Sequence, residues 1–292
     1  MEATVQRWTL GAAERHRLAT LDPQRDYAEI ARTSLETLHG HRALVLAMFT
    51  VSFMKQVAVP TMGRILWRKG TGDIVTDTAA RNDDTIVFFG RFLEHGPDSP
   101  EGIRWIERLN AIHAHFPIRN TDSLYTLGTL ALDPENIAAA VGARPFSRVE
   151  LEGQWRFWRA VAVRQHLEDI PDDREELRAW MHRYEEQEFA PSEGGRAVAD
   201  ALVEDFSRRV LPTSVRHLGP EILAAVCPEN LRATHGLPRP RPAVTAAVRT
   251  AGRAYLDGVA VRPVPRLRSL VRTFGTRHGG APGPDDVGYR SA

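Results

Sequence analysis

The segment RLNAIHAHFPIRNTDSLYTLGTLALDP, residues 108–134, places two histidines on an otherwise apolar stretch and then runs into a polar turn at residues 120–122. His113 and His115 are two residues apart, so on a helix they do not share a face or bind one ion together. A neutral imidazole on an apolar wall is the ligand that a buried transition metal or a haem iron requires. One of these histidines is therefore a candidate ligand, although a histidine simply packed into the structure is the commoner outcome.

Helical patterns continue from this segment in both directions along the chain. Apolar residues recur at helical spacing over residues 27–38, and residues 43–59 are apolar nearly all round, which predicts a central buried helix. Residues 149–167 and 174–189 predict further helices. No convincing run of alternating apolar and polar residues bounded by turn pairs is present, so we expect little β-structure. The sequence therefore predicts an all-α protein.

Prolines and their neighbours predict where several helices begin and end. Asp22 and Pro23 suit the N-cap and the first position of a helix. Pro60 is expected to end or kink the buried helix that precedes it. The turn at residues 120–122 is expected to close the helix that carries the two histidines, and Pro134 is expected to begin a short new helix.

The composition of the chain changes at about residue 236, where arginine and proline become frequent, and residues 275–292 are rich in glycine and proline. A segment of this kind buries too little apolar surface to offset the entropy of ordering it. We therefore expect a single domain over residues 1–265 and a basic, disordered tail over residues 266–292.

The charge balance of the chain excludes some classes of function. There are 38 Lys and Arg residues against 37 Asp and Glu, and the formal net charge is +1. A dedicated nucleic-acid binder would show a basic face that dominates this sum, so we expect no nucleic-acid partner. A local basic patch remains compatible with the total, and the contact of the arginine-rich segment with anionic lipid is left open.

The single cysteine, Cys227, and the lengths of the apolar runs indicate the cellular compartment in which the protein is expected. One thiol forms no internal disulfide and no cysteine-rich metal site, which favours the reduced cytoplasm. The N-terminus lacks the continuous apolar run of a secretory signal. The longest apolar run, residues 43–54, is shorter than the roughly 20 residues needed to cross a bilayer. We expect a cytoplasmic protein without a transmembrane segment, for which peripheral membrane contact is possible in principle.

A second candidate site is the segment RNDDT, residues 81–85. On a helix, Arg81, Asp84 and Thr85 lie on one face, and composition alone favours an exposed, salt-bridged helix. The apolar residues 86–89 follow directly, so part of this face must point inward, where an arginine and a carboxylate need partners. Beside a metal ion or a haem, such a group orients dioxygen, donates a hydrogen bond or holds a propionate.

Other catalytic signatures are missing from the sequence. It contains no His-Glu-x-x-His motif, no paired Glu-x-x-His motifs of a di-iron bundle, no phosphate-binding or dinucleotide glycine pattern, and no Gly-x-Ser-x-Gly elbow. The two polar sites on apolar segments are therefore the main sites for chemistry.

Together, these two sites resemble the MpaB-type oxygenase family, which is related to the rubber oxygenases, or latex-clearing proteins. The resemblance runs from about Leu21 to Pro265. It is strongest over residues 21–30, 58–73, 81–85, 108–134, 167–172 and 184–189. The patterns Arg-x-x-Asp-Thr and Arg-x-Asn-x-Ile-His at this separation are specific to it.

The resemblance implies a globin-like, multi-helix bundle around a pocket that holds haem b through one protein imidazole. His113 matches the proximal ligand of the haem iron, and Arg81 and Thr85 match polar residues of the haem pocket. Rubber oxygenases carry a lysine as distal ligand just before the threonine, where this chain has Asp84. A second protein ligand is therefore in doubt, and the distal position is expected to be open to dioxygen.

The resemblance further implies a haem-b-dependent oxygenase that acts with dioxygen on an apolar metabolite, for example an isoprenoid, by oxidative cleavage of a C=C bond. Arg81 is expected to bind haem and supply positive charge in catalysis, Asp84 to relay a proton, and Thr85 to complete the catalytic group. Two other classes remain as alternatives: a haem-binding protein without turnover, and an all-α interaction protein without a cofactor. Whether His115 rather than His113 is the ligand is also left open.

Overall fold

The computed structural model describes residues 8–279 and 282–288, and within them the protein is a bundle of fifteen α-helices. The first eight are α1 (Gly11–Leu18), α2 (Tyr27–Arg32), α3 (Arg42–Val57), α4 (Pro60–Trp67), α5 (Asp73–Thr76), α6 (Thr78–His95), α7 (Pro100–His113) and α8 (Asn120–Ala140). The others are α9 (Arg148–Arg164), α10 (Arg174–Glu188), α11 (Glu193–Val210), α12 (Gly219–Ala224), α13 (Glu229–His235), α14 (Pro242–Asp257) and α15 (Leu270–Phe274).

Only one small sheet accompanies these helices in the described ranges. Strands β1 (Trp8–Leu10) and β2 (Pro263–Pro265) pair antiparallel, with Thr9 opposite Val264. Thr9 and Val264 are buried, whereas Trp8 and Leu10 on the other side of the ribbon are exposed. The prediction of an all-α protein is confirmed, because the ribbon adds only two three-residue strands.

The second half of α3, residues 50–57, is almost wholly buried, as its nearly continuous apolar sequence predicted, whereas most of residues 43–49 are only half-buried. Helix α3 packs against α8 and α11, and α4 turns back to pack against α11 as well. Glycines allow this last contact: a Cβ atom on Gly63 of α4 would lie 2.7 Å from the backbone nitrogen of Gly195 in α11. The two backbones approach so closely that neither position has room for a side chain.

Several predicted helix boundaries are corrected by the structure. Asp22 accepts a hydrogen bond from the N–H of Gln24 in a turn, and α2 begins four residues after Pro23, at Tyr27. Helix α3 ends at Val57, shortly before Pro60, and Pro60 is itself the first residue of α4. Residues 120–122 begin a helix instead of forming a separate turn.

Pro134 begins no helix, because α8 continues through it. A proline in a helix interior removes one backbone hydrogen bond and is normally destabilising. Here α8 is packed against both α3 and α9, and the preceding Asp133 is held by an ion pair to Lys55. This tertiary packing offsets the local preference of the proline.

The prediction of a disordered tail from residue 266 is wrong for the described residues 266–279 and 282–288. Leu270, Val271 and Phe274 are buried where α15 packs against α6. A Cβ atom on Gly90 of α6 would lie 3.0 Å from the Cβ of Leu270, so the small residue makes room for α15. A few apolar side chains at helical spacing therefore fold this segment, although its average composition is typical of disorder.

No single helix among the described residues is both long enough and apolar enough to span a membrane. Helix α3 and the segment Pro60–Gly70 together have the required length and hydropathy, but they are bent by 109° relative to each other.

Candidate active site

The helices α6 and α7 carry four of the five residues that the sequence singled out, and His115 lies just beyond the end of α7. Asp77 caps the start of α6 by accepting from the N–H of Ala80, which sets the first turn that contains Arg81. Ser99 caps α7 by accepting from the N–H of Gly102, with Pro100 at the first helical position, and the helix ends at His113. Because α6 and α7 pack against each other, Arg81 and His113 are brought to one place.

A cavity lies between α3, α4, α6, α7 and α8, with an empty volume of about 1280 Å³ that includes open solvent at its mouth. Much of its wall is aromatic, with contributions from Phe49, Phe53, Phe88, Phe89, Phe92 and Phe116. Three of the predicted site residues, His113, Arg81 and Thr85, line the same cavity. An apolar space with a few convergent polar groups is the usual form of a small-molecule or cofactor site.

The side chain of His113 is a neutral imidazole at physiological pH. Burial lowers its pKa to about 4, and the positive charge of Arg81 acts in the same direction. Among the described residues, neither ring nitrogen of His113 takes part in a protein hydrogen bond of the structure. A neutral ring with nitrogens not taken up by protein partners is suited to bind a metal ion directly.

His115 differs from His113 in each of these respects. Its side chain is exposed, and its Nδ1 lies 2.8 Å from the carbonyl oxygen of Ala111, one turn earlier in α7. It does not line the cavity. Of the two histidines that the sequence left open, the geometry therefore favours His113 as the ligand.

Arg81 is held in place by its own helix. Its Nη1 donates to the hydroxyl of Thr85, and that hydroxyl lies 3.0 Å from the carbonyl oxygen of Arg81. Burial lowers the pKa of Arg81, while the carboxylates of Asp84 and Asp73 act in the opposite direction. The guanidinium is therefore a positive group fixed against an otherwise apolar wall.

Asp84 does not line the cavity. Its carboxylate accepts from the Arg277 guanidinium, with Nη2 at 2.6 Å and Nε at 3.2 Å, and lies 2.9 Å from Nε2 of His278. The N–H of Gly288 also donates to it at 3.2 Å, and Gly288 itself is a wall residue of the cavity. Asp84 therefore reaches the cavity only through the C-terminal segment that it binds.

Two wall residues, Arg68 and Asp73, were missed by the sequence analysis. The Arg68 guanidinium lies 3.0 Å from the Asp73 carboxylate, and both side chains are partly exposed. The intervening segment is tight: Arg68 and Lys69 have positive φ angles of 46° and 54°, and a Cβ on Gly72 would lie 1.8 Å from the Leu66 carbonyl oxygen. The left-handed backbone of two consecutive non-glycine residues marks this segment in the structure. No pattern in the sequence predicts that conformation.

A buried polar network, also missed, lies around α3, α8 and α10. The Lys55 ammonium lies 2.8 Å from the Asp133 carboxylate and 3.4 Å from that of Glu185. The hydroxyl of Tyr125 donates to Glu185 at 2.8 Å, and that of Ser52 to Asp133 at 2.8 Å. Burial acts to lower the pKa of Lys55, but the two carboxylates outweigh it and raise that pKa. The only signal in the sequence was Lys55 at the end of the long apolar run.

The residues of the large cavity fit a haem held by one imidazole. His113 supplies a neutral ring to an apolar space, and Arg81 and Arg68 supply positive charge for anionic substituents such as propionates. Within residues 8–279 and 282–288, no group of three or more His, Cys, Asp or Glu side chains is placed to hold a metal ion. A single protein imidazole suits a cofactor that brings its own equatorial ligands.

Comparison with known proteins identifies the family to which this arrangement corresponds. Residues 37–256 match the family described as "ER-bound oxygenase mpaB/B'/Rubber oxygenase, catalytic domain". The chain belongs to this family. The matched range of the MpaB/rubber oxygenase family contains His113, Arg81, Asp84 and Thr85, and it ends before β2 and α15.

Two relatives carry names within the MpaB/rubber oxygenase family. The chain is 26% identical to the ER-bound oxygenase mpaB of Penicillium roqueforti (strain FM164) over 165 residues, which are 51% of this chain and 55% of that protein. It is 22% identical to the ER-bound oxygenase mpaB' of Penicillium brevicompactum over 211 residues, 67% of this chain and 50% of that protein. The chain spans about half the length of the curated relatives it matches.

Proposed function

We propose that this chain is a haem-b-dependent oxygenase that uses dioxygen to cleave a C=C bond in an apolar metabolite such as an isoprenoid. The observation that carries the proposal is the position of His113, a neutral imidazole on the wall of a large apolar cavity, with the Arg81 guanidinium on the same wall. Membership of a family whose named members are oxygenases supports the reaction class.

In this proposal His113, Arg81 and Thr85 have separate roles. His113 would hold the haem iron, and its pKa of about 4 keeps the ring unprotonated and able to bind a metal over the physiological range. When bound, haem iron supplies the activation of dioxygen and the electron transfers of the cleavage. Arg81, oriented by Thr85, holds positive charge on the wall of the cavity.

The aromatic wall sets the kind of substrate. Phe49, Phe53, Phe88 and Phe89 give the cavity an apolar lining that excludes water and favours a hydrocarbon chain over a polar one. The Arg68–Asp73 pair is partly exposed at the same cavity and is suited to bind a polar end of the substrate or a propionate. The proton-relay role of Asp84 stays a prediction, as does a cytoplasmic location.

A visible absorption spectrum of the purified protein, before and after reduction with dithionite, tests the cofactor. We expect a Soret band that is lost in His113→Ala and retained in the matched variant His115→Ala, with circular dichroism unchanged in both. An unchanged Soret band in His113→Ala would overturn the ligand assignment. A protein that never takes up haem would favour the cofactor-free interaction protein.

Dioxygen consumption with isoprenoid substrates tests the reaction. We expect turnover by the haem-loaded protein, and we expect Arg81→Ala to keep haem but to lose turnover. Removing one preorganised charge from an active site typically costs about 10²–10³-fold in kcat. Full haem occupancy without any dioxygen uptake across apolar substrates would favour a sensor or a carrier.

A further inference from the structure

The outer face of the β1–β2 ribbon is an exposed apolar surface. Trp8, Leu10, Val261 and Leu267, which we call the ribbon face, are 55%, 54%, 81% and 61% exposed. Within the described ranges Val163 is the only other large apolar residue that is comparably exposed. The register places Trp8 opposite Pro265 and Leu10 opposite Pro263, so further apolar surface lies beside these side chains. Val261 and Leu267 stand two residues before and two residues after β2, so exposed apolar side chains are concentrated around the ribbon. Such a concentration indicates a contact surface.

The chain around the ribbon face is strongly basic, in contrast with the balanced total. Residues 239–277 contain nine arginines and one acidic residue, Asp257. Asp257 is paired with Arg253 at 3.3 Å, and Arg266 is paired with Glu14 at 3.6 Å. In the described part of the protein no carboxylate lies within salt-bridge distance of Arg262, Arg268 or Arg272. Arg241 and Arg277 are also paired, with Glu221 at 2.9 Å and with Asp84 at 2.6 Å. The positive charge without a carboxylate partner therefore includes Arg262, Arg268 and Arg272.

Arg262 and Arg268 meet a pair of histidines at the start of α3, and we call these four residues the basic corner. The Arg262 guanidinium lies 3.8 Å from the ring centroid of Tyr255, whose ring is 5.7 Å from that of His41. The side chain of Arg268 passes beside Gly40, where a Cβ would lie 3.1 Å from the Arg268 Cδ. His39, the other histidine, is only 2% exposed.

Several buried polar atoms of the basic corner make no hydrogen bond in the described part of the protein. Nη2 of Arg262, Nη1 of Arg268 and both ring nitrogens of His39 are buried without a hydrogen bond. Burial lowers the pKa of His39 to about 3, with Arg262, Arg15 and Arg268 contributing to the effect. Buried donors and accumulated positive charge are costly unless an anion satisfies them.

The start of α3 adds to the same positive potential. Its N-cap residue is His41, no side chain caps the helix, and its first turn contains no acidic residue. A helix N-terminus without a capping side chain and without an acidic residue in its first turn favours the binding of an anion. The nearest acid on the neighbouring segment, Glu36, already accepts from the N–H of Leu270 at 2.6 Å, and burial raises its pKa to about 7. It is therefore a weak counter-ion for the two arginines.

We propose that the basic corner binds the phosphate group of an anionic phospholipid while the ribbon face rests in the interfacial layer of the bilayer. Arginines match the geometry of phosphate oxygens, and Trp and Leu beside them suit the boundary between headgroups and acyl chains. Val261 and Arg262 directly precede β2, and Leu267 and Arg268 follow it within three residues, so the apolar and the basic residues flank the same strand. The surface lies largely outside the range that matches the oxygenase family.

Co-sedimentation of the full chain with vesicles tests this surface. One set of vesicles contains phosphatidylcholine alone, and the other contains phosphatidylcholine and phosphatidylglycerol in equal parts. We expect binding only to the second set, accompanied by a blue shift of tryptophan emission that is absent in Trp8→Phe. Val261→Ser/Leu267→Ser should lose binding, as should Arg262→Gln/Arg268→Gln. Equal binding to both vesicle sets, or binding unchanged in either double variant, would overturn the proposal.

A charge-matched control separates the basic corner from general attraction to an anionic surface. Arg239→Gln/Arg249→Gln removes the same charge from the same basic segment without touching the corner. We expect the corner variant to lose about tenfold more affinity than this control, because two arginines near a membrane contribute about 1 kcal/mol each while distant ones contribute less. Equal losses in the two variants would overturn the role of the corner. Circular dichroism and melting temperature establish that each variant is folded.

Two further measurements distinguish the other occupants of this surface. If inorganic phosphate raises the melting temperature of the wild type but vesicles are not bound, the site takes a free phosphate and the lipid proposal is wrong. If sedimentation velocity shows a dimer that Trp8→Ser/Leu10→Ser dissociates, and vesicles are not bound, the ribbon face is a protein interface and the proposal is also wrong. None of these measurements requires haem or turnover, so their outcome does not test the proposed oxygenase function.

Discussion

The carboxylate of Asp84 and the guanidinium of Arg277 lie 2.6 Å apart, although 193 residues separate them in the chain. The side chain of Asp84 is nearly buried, and it also accepts from the backbone of Gly288, a residue of the cavity wall. This carboxylate therefore fastens the C-terminal segment to the start of α6, directly behind the residues that face the cavity.

We expect Asp84→Asn to loosen the segment around Arg277, because an amide keeps the shape of the carboxylate but loses the charge-assisted hydrogen bonds. Hydrogen exchange of residues 270–279 should become faster, and trypsin should cut after Arg277 at lower protease concentration. Arg277→Gln removes the trypsin site itself, so only hydrogen exchange applies to it. Exchange should become faster to the same extent, and the double variant should add little, since both changes remove one contact. Unchanged exchange would mean that apolar packing of α15 alone holds the segment.

We expect Lys55→Met to be strongly destabilising, because it leaves the carboxylates of Asp133 and Glu185 buried without a cation. Breaking a buried ion pair from one side costs about 3–5 kcal/mol. Chemical denaturation of the haem-free protein measures this loss. Arg253→Ala, which breaks the exposed pair with Asp257, should cost about 1 kcal/mol or less. Similar losses in the two variants would show that water or a counter-ion already neutralises the buried carboxylates.

We expect acid to destabilise the fold in part through His39. The pKa of His39 is about 3 in the folded protein against about 6.5 in the unfolded chain, so the unfolded state binds the proton first as the pH falls. The free energy of unfolding should drop by about 2 kcal/mol from this group between pH 7 and pH 5. In His39→Phe, denaturation curves over this range should show a shallower dependence on pH. An unaltered slope would contradict the burial of a neutral ring.

Glu36 should act in the opposite direction over the same range. Its pKa is raised to about 7, so its contribution to stability is complete below the unfolded value of about 4.5 and is lost as the pH rises through 7. Glu36→Gln keeps an acceptor for the N–H of Leu270 but no longer titrates. The variant should therefore lose stability more steeply on acidification than the wild type. A flatter profile in Glu36→Gln would indicate that this carboxylate is ionised in the folded protein.

We expect Gly63→Ala to push α4 away from α11, because the added methyl group would lie 2.7 Å from a backbone atom that has no flexible end to move. Overpacking of this kind costs about 1–3 kcal/mol. Gly258→Ala is the matched control, since no atom lies within 4 Å of its Cβ position and its φ of −70° suits alanine. The control should be neutral or stabilising by up to about 1 kcal/mol in thermal or chemical unfolding. A neutral Gly63→Ala would mean that the two helices separate at little cost.

The helical content, the central helix α3 and His113 as a candidate ligand followed from local features of the sequence: apolar spacing, capping residues, and the two motifs shared with the family. These features act within a few residues, so they can be read without knowing the fold. The sequence could not place the start of α2 or the continuity of α8, because there the packing of distant helices outweighs the local preferences of Pro23 and Pro134.

The tertiary structure alone decided which histidine faces the cavity, that Asp84 binds Arg277, and that residues 270–274 fold. It also decided the burial of Lys55 with two carboxylates and the meeting of Arg262 with the start of α3. Each of these depends on groups from distant parts of the chain that share one small volume, where burial removes water and makes every charge require a partner. Sequence spacing fixes which face of a helix a residue occupies, whereas the fold fixes what that face meets.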